Sequence, residues 1–104
     1  MTETEFNQLV DDTLMRVEEA IEASGADIEY ETVSGILNLE FEDGSKIIIN
    51  RQGATQELWV AAKSGGFHYR WTDGAWRNTR DGSDFMAALS RCASQQAGEA
   101  VDLA

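Results

Sequence analysis

Phe6, Leu9, Val10, Thr13, Leu14, Val17, Ala20 and Ile21 recur at three- and four-residue spacing. That is the pattern of one buried stripe on an amphipathic helix. Thr2 and Glu5 supply a Thr-x-x-Glu capping box before the stripe, and Gly25 is a natural stop after it. The spacing predicts a first helix over residues 3–24. The period then changes to two. Asp27-Ile28-Glu29-Tyr30-Glu31-Thr32 alternates strictly, with Ile28 and Tyr30 on one side of a strand and Asp27, Glu29 and Glu31 on the other. Its acidic row is expected to lie beside the acidic face of the helix.

Gly35 allows a turn into a strand over 36–41, with Leu37, Leu39 and Phe41 facing a core. Asp43-Gly44 is a two-residue hairpin signal leading into a strand over 46–50. Residues 51–56 read as a loop. The next strand, over 57–61, puts Leu58 and Val60 on one face and Glu57 and Trp59 on the other. Ser64-Gly65-Gly66 turns the chain into a strand over 67–71, and Asp73-Gly74 into a short one over 75–77. Ser83 then caps a second helix, whose apolar face is Phe85, Ala88, Leu89, Cys92 and Ala93. Gln95-Gln96-Ala97-Gly98 ends it, and the last six residues read as a tail.

A helix, five or six consecutive strands and a second helix predict an α+β fold. It is a two-layer sandwich, with both terminal helices on one face of an antiparallel sheet. The opposite sheet face is left open to solvent, with Trp59 on it. At 104 residues, without proline and without a Gly/Ser tract, the chain reads as one domain with no linker.

Charge changes this picture. Residues 1–43 hold 13 acids and one base, Arg16, whereas the other 61 residues hold six acids and seven bases. The net charge of −11 therefore belongs to one segment. On the first helix Asp11, Met15, Glu18 and Glu22 form one row, and Asp12, Arg16 and Glu19 the next. Like charges at this spacing cost about 0.2–0.5 kcal/mol per pair, which a helix selected for stability alone would avoid by interleaving lysines. From spacing alone such a face reads first as a solvated surface; its functional readings are a shallow site for hard cations held weakly by carboxylate oxygens, or a docking surface for a basic protein partner. It repels nucleic acid. No histidine or cysteine lies in the segment, so a closed transition-metal site is not expected.

The N-terminus has neither a basic region nor an apolar run of the kind that targets a chain for export, and no apolar stretch approaches membrane-spanning length. A cytoplasmic protein is expected. Cys92 is the one cysteine and reads as a buried thiol; His68 reads as a plain strand residue. Trp59 reads either as a lone exposed aromatic, or one covered by the tail, or as a contact anchor whose patch Asn50, Arg51 and Gln52 extend. No phosphate loop, nucleophile elbow or His-Glu-x-x-His motif is present.

The stretch Leu39-Glu40-Phe41-Glu42-Asp43-Gly44-Ser45-Lys46-Ile47-Ile48-Ile49-Asn50-Arg51-Gln52 resembles bacterial frataxin, the CyaY family. So do Leu58-Trp59-Val60-Ala61, Gly65-Gly66-Phe67-His68-Tyr69 and the ending Gln95-Gln96-Ala97-Gly98-Glu99. The resemblance covers essentially the whole chain. It implies a frataxin-like sandwich and a regulatory adaptor of iron–sulfur cluster assembly rather than an enzyme. Iron, ferrous or ferric, is expected to bind weakly on an acidic ridge of Asp11, Asp12, Glu18, Glu19, Glu22, Asp27, Glu29 and Glu31. The implied partners are the cysteine desulfurase and the scaffold machinery. They would be met through Glu18, Glu19 and Glu22 and through Asn50, Arg51, Gln52 and Trp59. The expected state is a monomer, with iron-dependent oligomers as a further state. The alternative readings are a ferroxidase or iron store at the clustered carboxylates and, more remotely, an acidic mimic of nucleic acid. The chain departs from the family pattern at Ala54, where proline is usual, and at Glu57, where glutamine is usual. Its junction after the first helix, with Ala23, Ser24 and Ala26, is also shorter and less acidic.

Overall fold

The computed structural model describes residues 1–103. Helix α1 spans Glu3–Ser24, and six strands follow: β1 Glu29–Val33, β2 Ile36–Glu40, β3 Lys46–Gln52, β4 Glu57–Ala62, β5 Gly65–Thr72 and β6 Ala75–Asn78. Helix α2 spans Phe85–Ala97. The strands form one antiparallel sheet in the order β1-β2-β3-β4-β5-β6. Each strand thus pairs with its neighbour in sequence, as tight turns require. Both helices pack on the same face of this sheet.

Local chemistry accounts for the boundaries. Thr2 Oγ1 accepts from the Glu5 backbone N–H at 3.1 Å, and Glu5 Oε1 accepts from the Thr2 N–H at 2.8 Å, which completes the capping box of α1. Ser34-Gly35 and Asp73-Gly74 both have positive φ at their two central positions, the backbone that a two-residue hairpin needs. The N-cap of α2 is Asp84, not Ser83: its carboxylate accepts from the Ala87 N–H at 3.1 Å. The Ser83 N–H instead donates to Asp81 Oδ1 in the preceding turn. Residues 51 and 52, expected in a loop, continue β3.

The core lies between the helices and one sheet face. Phe6, Val10, Leu14, Val17 and Ile21 of α1 and Phe85, Leu89 and Ala93 of α2 meet Leu37, Leu39, Ile47, Ile49, Leu58, Val60, Tyr69 and Trp76 of the sheet, all buried. The Trp76 indole N–H donates to Thr13 Oγ1 at 2.9 Å, joining the last strand to the first helix. The segment expected to be a tail also packs. Val101 and Leu103 are buried, and their N–H groups donate to Ser94 Oγ and Ser90 Oγ of α2. Among the described residues no helix is long and apolar enough to cross a membrane.

Candidate functional site

Two surfaces carry the residues of interest. The first is the edge formed by α1 and β1. Asp11, Asp12, Glu18, Glu19 and Glu22 lie on α1, and all but Glu18, which is half-buried, are exposed. Two of them are tied to the edge strand: the Thr32 hydroxyl donates to Glu18 Oε2 and the Tyr30 hydroxyl donates to Glu22 Oε1, each at 2.7 Å. The Glu22 carboxylate accepting from Tyr30 pushes the phenol above its usual range.

The side chains of β1 that face α1 are therefore hydroxyls. Glu29 and Glu31 point the other way. They are in register with Glu40 and Asn38 of β2, on the face away from the helices, while Tyr30 and Thr32 sit opposite the buried Leu39 and Leu37. The expectation that the acidic row of β1 lies beside the acidic face of α1 does not hold, because alternation sends the two rows to opposite sides of the edge strand. The result is a belt of carboxylates folded around β1. One arm is on α1, and the other, Glu29, Glu31 and Glu40, is on the sheet, where these three line a shallow hollow with Asn38 and Lys46. Asp27 lies just before β1 and lines a neighbouring hollow with Glu29, Glu40 and Glu42. Among the described residues no three carboxylate, imidazole or thiol groups converge into a ready-made metal cage.

The second surface is the open face of the sheet. Alternation along β3 places Asn50 and Gln52 on it and sends Arg51 to the helix side. The Arg51 guanidinium there donates to Asn7 O, Asn7 Oδ1 and Gly35 O, and bonds Asp11 Oδ1 at 2.7 Å. Arg51 is thus a clamp between α1 and the β1–β2 turn, not a member of the tryptophan patch. It neutralises Asp11, the first ridge position. A side chain at Gly35 would meet this guanidinium, since a Cβ there would lie 3.1 Å from Nη2.

Trp59 sits at the centre of the open face, 36% exposed. Asn50 and His68 are its cross-strand neighbours. The His68 ring lies flat against the indole, with centroids 4.4 Å apart and 7° between planes. Beneath them the Glu57 carboxylate, largely buried, accepts from Trp59 Nε1 at 3.0 Å and from Arg70 Nη2 at 2.9 Å. His68 is no plain strand residue. A turn centred on Ser64-Gly65-Gly66 hides its pairing with Trp59; the actual turn is Lys63-Ser64, which puts Ala62 opposite Gly65. A two-residue turn read at Lys63-Ser64 gives the register directly.

The hydrogen bond from Trp59 is the largest cause that holds the pKa of Glu57 below the usual carboxylate value, with Thr55, Arg70 and His68 adding to it against desolvation. Since the folded value is the lower one, this stabilisation is present above the unfolded pKa of about 4.3. It is lost as pH falls through the folded value. Replacing Glu57→Gln should therefore lower the melting temperature at neutral pH and flatten its fall on acidification. Thermal melts across the carboxylate range check this. A slope equal to that of the wild type would mean that these contacts do not hold the carboxylate.

A frataxin-like domain family model matches residues 1–99. The chain belongs to the frataxin family. The iron–sulfur cluster assembly protein CyaY of Photobacterium profundum is 53% identical over 102 residues, spanning 98% of this chain and 97% of that one. The frataxin of Psychromonas ingrahamii superposes with a TM-score of 0.93 at 40% identity, covering 100% of this chain and 99% of that one. A trimeric yeast frataxin superposes with a TM-score of 0.70 at 25% identity, covering 91% and 80% of the two chains. Within a frataxin frame, two of the three departures noted in the sequence have structural uses. The Ala54 N–H, which a proline would lack, donates to Gln52 Oε1 at 3.3 Å. Glu57 supplies the charge that pairs with Arg70.

Proposed function

We propose that the protein serves iron–sulfur cluster assembly as a regulatory adaptor. It holds iron weakly, as cargo, along the carboxylate belt and docks by the same belt on a basic patch of the cysteine desulfurase. Membership of the frataxin family and the names of the curated relatives support the assembly role. The observation that carries the finer reading is the belt itself. Apart from Asp11, its carboxylates have no cationic partner among the described residues, although Lys46 stands opposite Glu40. Hard oxygen donors spread along an edge suit a partly hydrated, readily exchanged cation. They also create the local negative field that steers a basic protein surface into place. The scaffold machinery would be met on the open face around Trp59, and the working compartment is the cytoplasm.

An anaerobic NMR titration of labelled protein with ferrous iron, against a magnesium control, tests the cargo reading. Amide signals of residues 11–31 should broaden or shift at iron levels where magnesium does little, while core signals stay put. Equal responses to the two metals, or none at the belt, would leave docking as the belt's sole use.

A further inference from the structure

The open face is electrically graded from corner to corner. Its register places Glu29, Glu40 and Lys46 in one row at the β1–β2 end. Gln52, Glu57, Arg70 and Arg77 form another row at the β5–β6 end. Acid and base thus occupy diagonally opposite corners. Across five inter-strand steps the two edges lie about 24 Å apart. Between them run Asn50, Trp59 and His68, which offer amides and an aromatic stack but no fixed carboxylate.

The basic corner is poorly placed for stability. Arg70 and Arg77 stand directly opposite each other on paired strands, an arrangement that destabilises a sheet. Of these two arginines, Glu57 binds Arg70 alone. Arg77 is exposed and its guanidinium has no hydrogen-bond or ion-pair partner among the described residues, although its backbone bridges to Asp84 on its other side. A chain with a net charge of −11 thus keeps an unpaired guanidinium, Arg77, next to the Arg70–Glu57 ion pair on the face that carries its exposed tryptophan.

We propose that Arg70 and Arg77 dock a carboxylate-bearing surface of a protein partner, so that the open face binds a partner of matching opposite polarity, basic at the β1–β2 corner and acidic at the β5–β6 corner. This rests on the reading that the protein docks on the cluster-assembly machinery through its belt and open face. Arginine forks pair carboxylates in a planar, bidentate way, which fixes orientation. The belt alone would accept a basic patch in many rotations; the arginine corner selects one. Nucleic acid, which would also satisfy arginines, is repelled by the acidic corner of the same face.

The test uses the whole chain and two probes, the purified cysteine desulfurase and its complex with the scaffold protein, with affinity measured by calorimetry. Arg77→Glu should weaken binding to at least one probe by about tenfold or more, because it sets like charges together. Arg77→Lys should keep most of the affinity. Arg77→Glu should also leave the melting temperature near that of the wild type, since relief of the like charge opposite Arg70 offsets the new like charge opposite Asp84, whereas a merely structural arginine would lose stability and binding together. Wild-type affinity retained by Arg77→Glu, with the belt still required, overturns this inference alone. If the wild type binds neither probe, the functional reading fails and the inference with it. Sedimentation of the free protein completes the test: a dimer that Arg77→Glu dissolves would make the occupant a second copy and overturn the assignment to the machinery.

Discussion

Reversing Glu18, Glu19 and Glu22 to lysine should weaken binding to the cysteine desulfurase by about 100-fold at low salt. Each reversal adds two charge units, so the net charge moves from −11 to −5. All of the change falls on one arm of the belt. The fold should survive it. None of the three positions is buried, lysine is as good a helix former as glutamate, and the lost contacts are surface hydrogen bonds to Tyr30 and Thr32. The ionic-strength dependence gives a second readout. Wild-type affinity should fall steeply with added salt, and the triple variant should show little slope. Calorimetry at two salt concentrations, with circular dichroism to confirm folding, decides it. Unchanged affinity would remove the belt from the docking surface.

Replacing Trp76→Ala should cost about 3–5 kcal/mol of stability, the usual penalty for emptying a buried aromatic site. Trp76 is 4% exposed and meets Phe6 and Trp71 edge-on, with ring centroids 6.4 Å and 5.4 Å away. Its indole N–H is the buried link to Thr13 of α1. Against a total stability of about 5–15 kcal/mol, that loss is a large fraction. The melting temperature should drop by about 12 °C or more. Because α1 carries half of the belt, metal and partner binding should weaken before the fold is lost. Thermal unfolding measures the first effect directly. A cost under about 1 kcal/mol would sink the view that Trp76 anchors α1 to the sheet.

The architecture was legible because its periods are clean. The apolar stripe from Phe6 to Ile21 and the alternation at Leu37, Leu39, Ile47 and Ile49 each admit one reading, and all these residues but Leu9 and Ala20 are buried where expected. The errors lie where pairing, not periodicity, decides. Arg51 follows Asn50 in sequence, so it read as part of the same patch; a strand that runs two residues further sends it to the opposite face. Glu29 and Glu31 read as neighbours of the helix acids, yet the buried side of β1 is set by Leu37 and Leu39 across the pair, and the hydroxyls of Tyr30 and Thr32 share it. His68 and Arg70 gained meaning only from the strands beside them, through Trp59 and Glu57. The burial of Val101 and Leu103 was hidden by a polar, glycine-containing neighbourhood; it depends on two serine hydroxyls of α2 meeting the backbone.

Strand β1 has one partner, β2, so its other side is a bare row of backbone donors and acceptors. Such an edge invites a strand from another molecule, and charged side chains are a usual guard against it. Here Glu29 and Glu31 stand guard, with exposed Val33 at the end of the strand. If the belt docks as proposed, recognition and solubility draw on the same two carboxylates. A variant made neutral at Glu29 and Glu31 removes charge from the belt and also uncovers a template for strand addition, so its loss of binding would be confounded with aggregation. The helix positions carry no such double duty, and charge on this protein is more safely edited on α1 than on its sheet edge.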